Sequence, residues 1–442
     1  MGRRCIGIDV HREFAQVAVW EDGQVRHAGQ VAITGEAIRV FADSLGPEDE
    51  VAIEATCNTH AIVRAIAPRV ARVVVSNPMK TRAIAEARVK TDKVDAAILA
   101  QLLAADYLPA VWVADEATQA LRRQVARRAR IVRQRTRLKN QVQAILHRNL
   151  IARCPFSDLF GIKGRCWLSN QYLPADEELA VDALLRQLDF HAQELRIIDA
   201  ALGRIALERE EVLRLMTIPG VDATVALSLV AAVGDFRRFR RPEQLVSYLG
   251  LNPRVKQSGG KVATHGKITK QGRANARGML VEAAFTAAKI PGPLRVFFER
   301  IRARRGTQIA IVATARKLVC LCWTMIDRGE DYAFARQSLT DKKRRALELR
   351  AGMPSRRGRK GAAANYSLKE VRRRELELAE HAERAYRQQV SAWQAHRPAG
   401  KPGVAAANGT RLKRPSAGQA ARQASVPEPA LRSGVDHAQQ PA

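Results

Sequence analysis

An α/β domain followed by all-α segments is the fold class this sequence predicts, and three observations predict it. Residues 4–112 alternate short β-branched runs with amphipathic stretches. Residues 115–216 repeat apolar side chains every seven positions. From 217 to about 335, apolar helical pieces are separated by Pro-Gly and Gly/Lys-rich breaks. Alternation, a seven-residue repeat and a helical period belong respectively to a strand face, a paired-helix seam and a single helix face.

In the first segment (4–114), RCIGIDV and FAQVAVWE read as strands joined by a turn around His11–Glu13, and QVRHAGQVAI as a third. EAIRVFADSL is helical, EVAIEAT a buried strand, THAIVRAIAPR a helix, RVVVSNP a strand and KTDKVDAAILAQLLAAD a helix ending before Pro109. Hairpin-like strands followed by βαβα units predict a mixed sheet.

In the second segment (115–216), Ile131, Leu138 and Ile145 recur every seven residues, as do Leu188, Leu195 and Leu202, and Ile198, Ile205 and Val212. Two long helices pairing as a coiled-coil arm fit this pattern, with a break around Pro155, Gly161, Gly164 and Pro174. The first helix carries ten Lys or Arg between 121 and 150 and no acid. A solvated face with that charge repels itself. Arg122, Arg123, Arg127, Arg128, Arg130, Arg133, Arg137 and Lys139 are therefore expected to meet nucleic-acid phosphate.

The third segment (217–335) opens with TIPGVDATVALSLVAAVGDFRRF, a Pro-Gly turn between apolar helical pieces. A helix-hairpin-helix is expected there, with the amide of Gly220 offered to DNA phosphate. A Gly/Lys-rich loop, an amphipathic helix and a mostly buried helix, TQIAIVATARKLVCLCWTMIDRG, complete it. Residues 336–442 read as a basic helical tail whose end is disordered, because little there can be buried.

The 442 residues leave room for roughly two or three domains. Lys and Arg outnumber Asp and Glu by 74 to 44, giving a formal charge of +30 and a pI near 10.8. Such a balance points to a polyanionic partner, of which nucleic acid is the commonest. An anionic membrane is the other candidate, but no run of about 18 apolar residues stands out to span one. Asp9 interrupts the apolar core that a signal peptide needs, so a cytoplasmic protein is expected, nucleoid-associated when active. The six cysteines are scattered and lack zinc-ligand spacing.

Four carboxylates are conspicuous. Asp9 falls in IGIDV and Glu54 in VAIEAT, strands otherwise fit for burial, while Asp92 and Asp95 share one helix face. Buried acids must be paired or coordinated. If the strands are neighbours and the helix crosses their ends, the four converge on a site suited to hard divalent cations, two of which can clamp a phosphodiester exchange. Each acid taken alone can equally be a turn residue, a cap or an ion-pair partner. Strand Asp, strand Glu and a helical D-x-x-D is nonetheless the ordering of ribonuclease H-like nucleases.

GIDVHREFAQVAV, IEAT, NP and KTDKVDAAILA resemble the N-terminal DEDD domain of transposases of the insertion sequence 110 family, which includes the Piv-type invertases. IPGVDATVA, GDFRRFRRPEQLVSYLGLNPRVKQSGGK and GKITKQGRANARGMLVEAA resemble that family's C-terminal domain, and together the motifs span residues 4–335 in order. The resemblance implies a RuvC-like domain binding Mg²⁺, two ions when assembled on DNA, through Asp9, Glu54, Asp92 and Asp95. It implies a serine nucleophile at Ser258 of QSGGK. It also implies a transposase acting on the element's ends and target DNA, a noncoding bridge RNA, and a homo-oligomer (dimer or tetramer) in which one subunit's metal site serves another's serine.

The chemistry is coherent. A serine hydroxyl needs a base or a metal to become a nucleophile, and QSGGKVATHGK offers no adjacent carboxylate. Gly259 and Gly260 permit close backbone approach, and Lys256, Lys261, Lys267, Lys270 and Arg273 can neutralise phosphate. After EAT the family has Gly and an aromatic, where this chain has Cys57 and Asn58. Two rivals stay open: a metal-dependent nuclease that uses water, with Ser258 structural, and a non-catalytic nucleic-acid binder.

Overall fold

The computed structural model describes residues 3–85, 91–259, 262–354 and 364–395. Its N-terminal part contains β1 (Cys5–Val10), β2 (Phe14–Glu21), β3 (Gln24–Ala32), α1 (Gly35–Asp43), β4 (Glu50–Glu54), α2 (Thr59–Ile66), β5 (Arg72–Ser76), α3 (Pro78–Ile84) and α4 (Asp92–Ala104). The strands form one sheet in the order β3-β2-β1-β4-β5. The β1–β2 and β2–β3 pairs are antiparallel, and β1–β4 and β4–β5 are parallel. Asp22 and Gly23 both adopt positive φ between β2 and β3, the backbone that a two-residue hairpin turn requires. The expected mixed sheet is present.

Side-chain alternation divides β1 between two layers. Ile6, Ile8 and Val10 join Val51 and Ile53 under α1 and α2, whose Ile38, Ile62 and Ile66 complete that layer. Cys5 and Ala52 face the other way and pack with Leu99 and Leu103 of α4. Gly7 lies on this second face, where an added Cβ would stand 2.0 Å from the Ala96 carbonyl oxygen. Its missing side chain lets α4 lie directly on the sheet.

Two 33-residue helices follow, α5 (Glu116–Arg148) and, after the short α6 (Ile162–Ser169), α7 (Ala175–Leu207). Each is about 50 Å long. Asp115 caps α5 by accepting from the Thr118 amide. Ion pairs join Arg128 near the start of α5 to Asp199 near the end of α7, and Arg148 at the end of α5 to Glu177 at the start of α7. The two helices therefore run antiparallel. Ile131, Leu138, Ile145, Leu188, Leu202 and Ile198 are buried, as their repeat predicts, and Leu195 and Ile205 pack against the core. Val212 belongs instead to a separate helix, α8 (Glu210–Leu215).

After α8 come α9 (Ala223–Val233), α10 (Pro242–Tyr248), the hairpin β6 (Pro253–Lys256) and β7 (Thr264–Ile268), α11 (Ala274–Ala287), α12 (Pro293–Arg305), α13 (Thr307–Arg328), α14 (Gln337–Arg350) and α15 (Lys369–Ala395). The Gly/Lys-rich segment read as a loop is thus partly a two-stranded hairpin. One core joins α8, α9, α10, α11 and α13 to the near ends of α5 and α7. By length and composition α13 could cross a membrane, contrary to the reading that no such run exists. Its Ala310, Ile311, Ala315, Leu318, Val319 and Cys322 are buried in that core.

The described part of the tail also packs. Leu347 of α14 belongs to the same core, and the Lys343 ammonium donates to the carbonyls of Met216, Ile218 and Val221. On α15, the buried Glu383 accepts from the Gly292 amide and from Arg295, while Arg387 pairs with Glu299. The end of the expected disordered tail lies outside the described residues.

Candidate functional site

The acids are collected by the strand ends and one helix terminus. Asp9 is the penultimate residue of β1 and Glu54 the last of β4. The parallel register pairs Ile8 with Ile53, so one step further Asp9 and Glu54 stand side by side at the same sheet edge. Gly7 shares the face of Asp9 and admits α4, which starts above this edge. Thr91 caps α4, its hydroxyl accepting from the Val94 amide, and Asp92 and Asp95 occupy the first turn. Asp92 is therefore not the cap. Both acids lie at the positive end of the helix dipole.

His11, one residue past β1, stands between two of these acids. Its Nε2 is 3.0 Å from an Asp9 carboxylate oxygen and 3.3 Å from one of Asp92. It lies within ion-pair reach of both, yet it is aligned for a hydrogen bond to neither. One ligand atom each from Asp9, His11 and Asp92 lie within 4.8 Å of one another. Phe14 holds the imidazole from the side, with ring centroids 4.9 Å apart.

Asp9 is only 6% exposed. Burial pushes its carboxyl above the ordinary range, the neighbouring His11 pulls it back, and Asp95 and Asp92 push it up again. Excess negative charge around a buried oxygen donor, with an imidazole nitrogen aimed into the gap, suits a divalent cation. Asp9 and Asp92, with His11, offer ligand atoms; Asp95 acts on Asp9 through charge, and Glu54 borders the same edge. His11 escaped the sequence reading, where it counted only as a turn residue; its place two residues after a strand-borne Asp was the available signal.

Ser258 stands elsewhere. It is exposed on the connection between β6 and β7, in an exposed run from Arg254 to Gly259. The hairpin's hydrogen bonds run within itself, as Thr264 to the Lys256 carbonyl, or to its base at Gly250 and Asn252. Gly259 has positive φ at the exposed turn. Lys267, Lys270 and Arg273 are exposed around it, and Arg273 donates to the Tyr248 hydroxyl at 3.3 Å. Lys261 lies outside the described residues.

The basic helix divides into two sets. Arg122 is turned inward, its Nε and Nη2 donating to the carbonyls of Ala231 and Ala232 at the end of α9. Arg123, Arg127 and Arg128 pair with Glu116, Glu194 and Asp199, and the Lys139 ammonium sits 4.7 Å over the Phe160 ring. The acidic partners of the α5 arginines are Glu116 at the start of α5 itself and Glu177, Glu194 and Asp199 of α7. Arg130, Arg133 and Arg137 are exposed and have no acidic partner among the described residues.

Gly220 stands at a close approach between two segments. The Met216–Val221 turn is almost wholly buried, and a Cβ on Gly220 would come within 2.5 Å of the Ala283 carbonyl oxygen. That glycine lets the turn approach α11. The helix pair α8 and α9 is present, and the turn between them packs against α11.

The fold and acidic cluster are consistent with a ribonuclease H-like enzyme of the DEDD type. A transposase family profile of that type matches residues 6–150, and the profile described as transposase IS116/IS110/IS902 family matches residues 212–299. A putative transposase, y4qE of Sinorhizobium fredii, is 31% identical over 287 residues, covering 64% of this chain and 71% of the relative. The transposase for insertion sequence element IS1111A of Coxiella burnetii is 27% identical, covering 46% and 58%. The pilin gene-inverting protein of Moraxella bovis is 29% identical over 121 residues, covering 27% and 37%.

This chain belongs to the IS116/IS110/IS902 family of transposases, enzymes that act on DNA.

Proposed function

We propose that this transposase exchanges strands between the ends of its own insertion sequence and a target DNA, guided by a noncoding bridge RNA, with Ser258 as nucleophile. The observation that carries the reading is the convergence of Asp9 and Asp92 on His11 beneath the N-terminus of α4, with Asp95 and Glu54 at the same edge. Mg²⁺ held by the four carboxylates would supply the charge that favours an ionised hydroxyl and offsets negative phosphate oxygens. Ser258 attacks phosphorus through Oγ, forming a phosphoserine bond as the bond to O3′ breaks and leaves a 3′ hydroxyl. The bond energy is retained for rejoining. Lys267, Lys270, Arg273 and Lys261 hold the strand at the hairpin, and Gly259 gives it room.

Ser258 and the acids lie on separate parts of one chain, which supports an oligomer, dimer or tetramer, where one copy's acids meet another's serine. Residues 4–114 serve as the RuvC-like domain, 115–216 as a coiled-coil arm and 217–335 as the C-terminal transposase domain, with α14 of the tail packed onto the last two. Exposed Arg130, Arg133 and Arg137 are the nucleic-acid contacts of the arm. Its substrate places the enzyme in the cytoplasm, at the nucleoid.

The exposed, separate position of Ser258 also favours one rival, a nuclease that directs water at the phosphodiester. Covalent trapping decides between them. Protein, Mg²⁺, the flanking noncoding RNA and DNA bearing the ends and target are incubated and then denatured. A protein–DNA adduct is expected, absent in both Ser258→Ala and Asp9→Asn. Cleavage without an adduct, persisting in Ser258→Ala, assigns the chain to the nuclease reading.

A further inference from the structure

A cleft of about 330 Å³ opens where α5, α7, α9, α11 and α14 meet. That volume is within the usual range for ligand sites, on the order of 300–1,000 Å³. Val132, Leu227, Met279 and Leu347 form apolar walls, while Thr224, Ser228 and Asn275 supply polar groups. Arg128, Arg133 and Arg350 also line it, against one acid, Asp199. Asp199 is paired with Arg128 at 2.5 Å, so Arg133 and Arg350 remain as uncompensated positive charge. Arg350 is exposed and steadied by a hydrogen bond of 3.3 Å to the Thr224 hydroxyl.

The first residues of two helices, Ala223 and Thr224 of α9 and Ala274 and Asn275 of α11, open onto the same space. The Asp222 carboxylate caps α9, while the start of α11 has no side-chain cap and adds positive potential. At Gly278 on α11 an added Cβ would meet nothing within 4 Å. Arg133 belongs to the row Arg130, Arg133, Arg137, whose spacing of three and four places them on one helix face. A strand whose phosphates follow that row passes the mouth of the cleft.

We infer that this cleft seats one unstacked nucleotide of a single-stranded nucleic acid, its base against the apolar walls and its phosphate on Arg133 and Arg350. Apolar walls with a cationic rim match both halves of a nucleotide, whereas an inorganic anion would leave the walls without a partner. Aromatic bases pack on apolar and guanidinium surfaces regardless of sequence. The inference rests on the nucleic-acid role of the chain but on neither Ser258 nor the carboxylates.

The test uses the intact protein in EDTA with labelled 12-nucleotide single-stranded RNA, the matching DNA, and an abasic oligomer of equal charge. Gly278→Leu fills the cleft and replaces a helix-interior glycine by a better helix former, so its melting temperature should hold or rise. Its affinity for base-bearing strands should nevertheless fall about tenfold. Arg133→Glu should lose about tenfold as well, and Arg186→Glu, about 20 Å away along α7, less than about twofold. Abasic strands should not distinguish Gly278→Leu from the parent.

Loss confined to RNA or to DNA identifies the strand that is seated. Base-bearing strands that bind Gly278→Leu as tightly as the parent overturn the inference, whatever Arg133→Glu does, because the arginines then form only a basic surface. The covalent trap reads Ser258 and Asp9, so either proposal can fail without the other.

Discussion

At the scale of single residues, Gly7 and Asp9 work as a pair on one face of β1. Gly7 sets how near α4 comes, and that distance decides whether Asp92 and Asp95 reach Asp9 at all. Gly7→Ala would drive a methyl into the Ala96 carbonyl, 2.0 Å away. Overpacking of this kind costs about 1–3 kcal/mol. The parent is expected to melt higher with Mg²⁺, and the variant should melt lower and lose most of that rise; a retained Mg²⁺-dependent rise in calorimetry would show that α4 need not lie so close.

Asp9 carries a sign that can be checked. Its carboxyl titrates above the ordinary value of 3.8 in the fold, because burial and the neighbouring Asp95 and Asp92 outweigh His11. A carboxyl raised on folding favours the folded state when protonated, so that contribution is complete below pH 3.8 and is lost as pH rises through the folded value. In EDTA, Asp9→Asn should therefore gain stability relative to the parent as pH rises from about 4 to 7. With Mg²⁺ at pH 7 the order should reverse, since the amide is the poorer ligand. Melting curves at several pH values measure both effects.

At the scale of elements, the long basic helix shows that identical side chains do different work. Arg122 donates to two carbonyls at the C-terminal end of α9. Arg238 adds hydrogen bonds to the next carbonyl, Val233, and its guanidinium lies 4.4 Å over the Trp112 ring. Tyr248 donates to the Ala232 carbonyl. Burial pushes the Tyr248 phenol up, but the guanidiniums of Arg273, Arg238 and Arg122 outweigh it and hold it below its usual value. This cluster caps an apolar helix that has no basic residue in its own last turn.

Arg122→Ala should therefore destabilise the protein by about 2 kcal/mol, since charged hydrogen bonds to buried carbonyls are lost. Arg137→Ala should leave the melting temperature unchanged and lower the salt slope of nucleic-acid binding by about 1. Thermal melts beside salt titrations separate the two roles. The sequence predicted a cationic helix correctly, but it could not divide structural from solvent-facing arginines, because the α7 acids that pair with Arg127 and Arg128 lie 67 and 71 positions later.

At the scale of the whole molecule, α14 ties the tail to the centre. Lys343 reaches three carbonyls of the Met216–Val221 turn at 2.7, 2.7 and 3.0 Å, and Gly220 seats the other side of that turn on α11. Burial lowers the ammonium to about 8. Lys343→Met should cost about 2–4 kcal/mol, because the carbonyls lose their donor. Denaturant melts check this; a change below about 0.5 kcal/mol would mean that water replaces the ammonium.

Local pattern was sufficient wherever a period or a spacing carried the information. Alternating apolar residues in RCIGIDV and FAQVAVWE, the seven-residue repeats, and the family motifs around Asp9, Glu54, Asp92 and Asp95 determined the mixed sheet, the paired helices and the transposase family. Tertiary structure alone decided what depends on approach between distant segments. It brought His11 between Asp9 and Asp92, turned Arg122 inward, buried the Gly220 turn and packed α14 into the core. Those outcomes follow from which surfaces meet, and no residue's immediate neighbours in the chain specify that.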